Sequence, residues 1–160
     1  MLIRLCKISL VATIAAFFIL VGFGNVTDYG TNLAFVKHVL AMDTIFPGSR
    51  LTWRAITNPQ LVALAYWTII GWEITSAAIL VYATLRLLAC CGDRQRFAQA
   101  KPVAILGLTC GLLLYGLGIT VIGGEWFAMW QSKTWNGLDS AARFMLLDGL
   151  VLLALLAPEA

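Results

Sequence analysis

Charge is what this chain has least of. Only 12% of its 160 residues are charged while 61% are hydrophobic, against roughly 25% charged in an average soluble domain, and a soluble fold could not hide so much apolar surface. There is a single histidine, His38, and it lies beside Lys37 in a polar connection. That leaves no axial ligand for a haem inside a helical bundle, no paired-His zinc motif and no Ser-His-Asp arrangement. Asp28 and Asp43 flank His38 too loosely to make a metal-ligand pattern. The four cysteines, Cys6, Cys90, Cys91 and Cys110, avoid the long first connection, which argues against a disulfide-stapled ectodomain. No basic stripe interleaved with aromatics is present, so the net charge of +3 does not point to nucleic acid. Internal repeats and heptads are also missing, and no cofactor is predicted.

What the chain does have is apolar runs of bilayer length. The pattern predicts an all-α, single integral membrane domain over residues 1–160, a four-transmembrane-helix bundle with spans at about 8–26, 60–88, 103–126 and 138–157. Arg4 and Lys7 precede the first run, which is read as a retained helix rather than a cleaved signal, with no Ala-x-Ala site after it. The connection 27–59 is too long for a bare loop. Within it, Leu33, Phe35, Val36 and Leu40 recur at helical spacing over Thr31 to Met42, predicting an interfacial amphipathic helix. Phe46-Pro47-Gly48-Ser49 reads as a turn, and Asn58-Pro59 as a helix start with Asn58 as cap.

Arg86, Arg94, Arg96 and Lys101 gather around the short second connection. The positive-inside rule then predicts cytoplasmic N- and C-termini. Trp53, Trp126, Trp130 and Trp135 fall at the opposite interface, where their rings are expected to act as anchors.

The third run is laced with glycine. Gly107 and Glu125 lie eighteen positions apart, about five turns of an α-helix, and Gly111 and Gly118 fall near the same line. A small-residue stripe marks a protein-facing surface in a membrane, so Glu125 is expected to face protein. Ionisable residues inside predicted spans include Glu73, Glu125, Arg143 and Asp148. Each costs a few kcal/mol by insertion scales and therefore calls for a partner or a purpose. By depth, Glu125 and Arg143 could pair near the outer end, with Asp139 as another partner for Arg143. Glu73 and Asp148 both approach the bilayer middle, where two ionised acids would repel. Two readings stay open: a proton or cation relay or cationic pocket built on Glu73 and Asp148 with Glu125 and Arg143 as its outer gate, or a buried Glu125–Arg143 lock with Glu73 neutral and hydrogen-bonded to Tyr66, Ser76 or a neighbour.

Several strings carry a resemblance: Asn25-Val26-Thr27-Asp28-Tyr29, His38 to Thr44, Arg54-Ala55-Ile56 and Gly123 to Ser132. Together they resemble a bacterial family of predicted small integral membrane proteins of unknown function, across nearly the whole chain. The resemblance implies a bacterial inner-membrane location, and it implies that the first outer loop, Glu73 and the Gly-Gly-Glu-Trp end belong to a shared pattern. It brings no activity. The sequence is therefore read as an accessory or structural subunit of a larger membrane complex, packed against other transmembrane subunits or its own copies, with lipids bound. The alternative is a small proton- or cation-coupled transporter or channel, and a membrane enzyme ranks third.

Overall fold

A computed structural model describes residues 1–158. Its long helices are α1 (Leu2–Thr27), α2 (Tyr29–Ala41), α3 (Pro59–Ala89), α4 (Arg94–Leu113) and α5 (Leu138–Leu156). From α4 the chain continues without a break into a π-helical stretch, Leu114–Trp126. One-turn 3-10 segments at Thr52–Arg54 and Met129–Gln131 complete the helical elements, and there is no strand among the described residues.

Three helices are long and apolar enough to cross a membrane: Leu2–Thr27, Pro59–Ala89 and Arg94–Trp126. The expectation of four spans is thus corrected to three by length and composition. The fourth segment, α5, has 19 residues but carries Asp139, Arg143 and Asp148. It nevertheless packs into the bundle. Phe144, Val151 and Leu155 are buried with Val11, Ile14 and Phe18 of α1, Leu80 and Leu87 of α3, and Phe97 and Leu108 of α4. These α1 residues recur three and four apart, which is the spacing that keeps one helix face on a core.

Local sequence sets the element ends. Asn58 Oδ1 accepts from the backbone N–H groups of Gln60 at 2.9 Å and Leu61 at 3.4 Å, with Pro59 at the first helical position, as expected. The expected turn is also present: Ser49 N donates to Phe46 O at 3.2 Å, and Gly48 supplies the positive φ of 79°. α4 begins nine residues earlier than the predicted 103, at Arg94, because Asp93 caps it through Gln95 N at 2.8 Å and Arg96 N at 3.0 Å. Those backbone donors hold the Asp93 carboxyl below its ordinary pKa, the N–H of Arg96 most of all. At the same end of the bundle, Arg4 donates to Cys91 O, and Lys7 and Lys101 both donate to Ala157 O at the C-terminus of α5. Cations there complement the helix dipole. All four cysteines are free.

The glycines of α4 let it approach its neighbours closely. A methyl group at Gly107 would lie 2.7 Å from Leu80 Cδ2, and one at Gly111 would lie 2.6 Å from Asp148 Oδ2 and 2.9 Å from Phe18 Cε2. Neither Leu80, Phe18 nor Asp148 has anywhere to move, since all are 0% exposed. The small-residue face is therefore occupied by α1, α3 and α5 of this same chain. Gly149, also inside a helix, has nothing within 4 Å. Gly111→Ala should accordingly cost about 1–3 kcal/mol through overpacking, whereas Gly149→Ala should be neutral or gain up to about 1 kcal/mol of helix propensity. Denaturant-induced loss of helicity in mixed micelles measures both, and equal effects would contradict this packing.

Candidate functional site

The site is built where α1 ends beneath α2. On α1 the buried stripe Val11, Ile14, Phe18, Gly22 continues in helical phase to Asn25, so an amide rather than an apolar side chain meets α3 at this level. Asn25 Nδ2 donates to Glu73 Oε2 at 2.7 Å. Asn32 of α2 donates through Nδ2 to Asn25 Oδ1, and Tyr66 OH donates to the backbone carbonyl of Asn25 at 3.2 Å. Glu73 and Tyr66 are seven residues apart on one face of α3, and they are 3% and 1% exposed. Tyr66 was an expected partner of Glu73. The partner is Asn25 instead, and Tyr66 braces the backbone that carries it.

The network borders a cavity of about 480 Å³, a size common for small-molecule sites. Glu73, Asn25, Tyr66, Tyr115 and Trp135 are among its walls, and the exposed Asn32, Thr134, Asn136 and Ser140 make a polar rim. A second chamber of about 270 Å³ adjoins it, lined by apolar residues of α2, α3 and the π stretch such as Val39, Leu40, Ala65 and Ile122. Phe35, Val36, Ile69, Leu114 and Ile119 line both. The chambers therefore share a wall, one mixed and carrying the polar network, the other apolar.

The π stretch explains why sequence phase misplaced Glu125. Its bonds run five residues back, as in Phe127 N to Ile122 O at 3.0 Å, and Thr120 Oγ1 also reaches Tyr115 O at 2.9 Å. Each π residue advances the helix by less than the α-helical 100°, a lag that accumulates to roughly half a turn over this stretch. Glu125 consequently leaves the Gly107–Gly111 face and is exposed. Gly118 leaves it too, and it lines the apolar chamber with no neighbour nearer than Leu114 Cδ1 at 3.7 Å. Arg143 is exposed as well, and no ion pair joins it to Glu125 or Asp139 among the described residues. The expected lock is absent.

The two deep acids are also at different levels. A methyl at Gly22 would meet Glu73 Cβ at 3.9 Å, near the Thr27 end of α1, whereas Asp148 meets the α4 glycine that touches Phe18. Four residues of α1 separate those levels, about 6 Å at 1.5 Å per residue. Counting from the start of α3 misled because that helix overshoots α1 to carry α2. Asp148 is 0% exposed and neither oxygen accepts a hydrogen bond, and Ser76 Oγ is likewise buried without a partner.

The tryptophans divide between two tasks. Arg54 lies over the rings of Trp53 at 5.3 Å and Trp126 at 4.5 Å, and its Nη1 donates to Trp126 O at 3.1 Å, clasping the loop to the end of the third span. Trp130 meets Phe46 edge-on at 5.7 Å. Trp135 instead lines the polar cavity and stacks on His38 at 4.5 Å, while His38 Nδ1 lies 2.8 Å from Asp43 Oδ2. From the sequence, Asn25 stands out only within the string Asn25 to Tyr29, and Asn32 and Tyr115 do not stand out. An amide on the buried stripe of an apolar helix was the available signal for Asn25.

Long apolar helices, a polar network sunk between them and lysines gathered at one end define an integral membrane protein. The chain belongs to the DUF2165 family of predicted small integral membrane proteins, which it matches over residues 3–158. No curated protein and no solved structure matches it.

Asn25→Ala deletes both side-chain amide bonds but leaves the carbonyl that Tyr66 uses. It should cost about 1–3 kcal/mol by stranding Glu73. In a double-mutant cycle with Glu73→Ala, the two losses should be non-additive by more than about 0.5 kcal/mol. Additive losses would mean that the two side chains do not work as a pair.

Proposed function

We propose that this protein is a membrane-embedded binding protein for a small single-chain amphiphile. The ligand's polar end sits against Glu73 and Asn25, and its apolar part lies in the adjoining chamber. The observation that carries this reading is the shared wall between a cavity carrying the polar network and an apolar one. A molecule with two chemically different ends suits that division better than a uniformly polar solute does. In this reading the protein lies in a bacterial inner membrane with its termini in the cytoplasm, so the rim opens on the outer side.

The two roles expected from sequence are less well supported by the geometry. A docking subunit was argued from the glycine face of the third span, and Gly107 and Gly111 pack against this chain's own helices. A relay was argued from paired acids, yet Asp148 lines neither cavity and sits about a turn away from Glu73 along α1. Binding, rather than passage through the bundle, is the reading retained. Association with other transmembrane chains remains compatible with it.

Ile119 lies at the junction and offers a direct test. In nanodiscs, wild-type protein should bind dodecanol saturably, and Ile119→Trp, which fills the junction, should weaken binding at least about tenfold while the fold persists by circular dichroism. Undiminished binding by the variant would remove the cavity from the account.

A further inference from the structure

The hydrogen-bond direction in the network specifies the charge of the ligand. Asn25 turns its Nδ2 to Glu73 Oε2 and its Oδ1 to Asn32, so the Glu73 carboxyl acts as an acceptor in this network. Asn32 must then turn its own Nδ2 to Asn25. Two acceptors are left over: Glu73 Oε1 and Asn32 Oδ1, neither of which takes a hydrogen bond from the described residues. The Tyr66 hydroxyl is engaged by the Asn25 carbonyl. No lysine, arginine or histidine lines the cavity, while the rings of Tyr66, Tyr115 and Trp135 do. The hydroxyls of Tyr115, Thr134 and Ser140 can donate or accept, so the features that set the sign of the charge are one carboxyl group, aromatic faces and no basic side chain, which favour a cation carrying N–H donors over phosphate or carboxylate.

We infer that the amphiphile bound between Glu73 and the aromatic walls is a primary alkylammonium, its N–H groups donating to Glu73 Oε1 and Asn32 Oδ1. This rests on the cavity reading above and adds the charge of its occupant. The ammonium replaces some of its hydration with a charge-assisted bond in a desolvated site, while the alkyl chain passes Ile119 into the apolar chamber.

Three twelve-carbon probes separate the possibilities in nanodiscs of zwitterionic lipid, with protein-free discs as the reference for partitioning: dodecylammonium, dodecanol and dodecyl sulfate. The expected order is ammonium over alcohol by at least about tenfold, the worth of one charge-assisted bond, with sulfate weakest. Glu73→Gln should reduce the ammonium advantage to within about threefold while alcohol binding persists. Should that variant fail to fold, Asn32→Leu at the exposed rim must weaken ammonium more than alcohol. Equal affinity for ammonium and alcohol, or preference for sulfate, would overturn the cationic assignment and leave the cavity reading standing. Saturable binding of none of the three would overturn both.

Discussion

The hydrogen bond from Asn25 to Glu73 is the constraint from which the outer half of this molecule follows. A carboxylate between apolar helices is costly unless it is partnered, and its partner must come from a neighbouring helix at the same level. Meeting that need fixes the axial register of α1 against α3. It also fixes α2, because Asn32, four residues beyond the corner at Asp28, continues the network from the next helix. With α1 and α2 held in this way, the wall they form opposite the π stretch cannot close completely. The cavities are the space that remains.

The inner half obeys a different rule. There the helices approach as closely as glycine allows, with Gly107 against Leu80 and Gly111 against Phe18 and Asp148. Van der Waals contact supplies cohesion where lipid offers no hydrophobic gain from helix association. The lysines that converge on the end of α5 secure it from below. One chain thus combines a tightly packed base with a hollow top, and the change from α to π geometry at Leu114 falls near the transition. This π stretch lines both chambers.

The sequence revealed local features well. The Asn58-Pro59 cap, the Gly48 turn and the amphipathic α2 follow from short-range chemistry, and each is present. Glu73 stood out because a charge in an apolar run is conspicuous. What could not be read was anything that required an accurate rotation or depth. Glu125 was assigned to a face by assuming 100° per residue through a stretch that winds differently, and its pairing with Arg143 fell with that assumption. Glu73 was set at mid-bilayer by counting from the start of α3, although α3 continues past α1. Asn25 reads in sequence as part of a motif at the end of a span, while its phase with Phe18 and Gly22 marks it as inward-facing.

The most direct test of the central claim is the accessibility of the junction to water-borne reagent. In a background with Cys6, Cys90, Cys91 and Cys110 replaced, a charged methanethiosulfonate applied from the α2 side should modify Ile119→Cys, which lies on the shared wall, and spare Leu117→Cys, which faces outward on the same π stretch. Prior addition of dodecylammonium should protect Ile119→Cys. An inert Ile119→Cys, or equal reaction at both positions, would contradict a cavity held open beside Glu73.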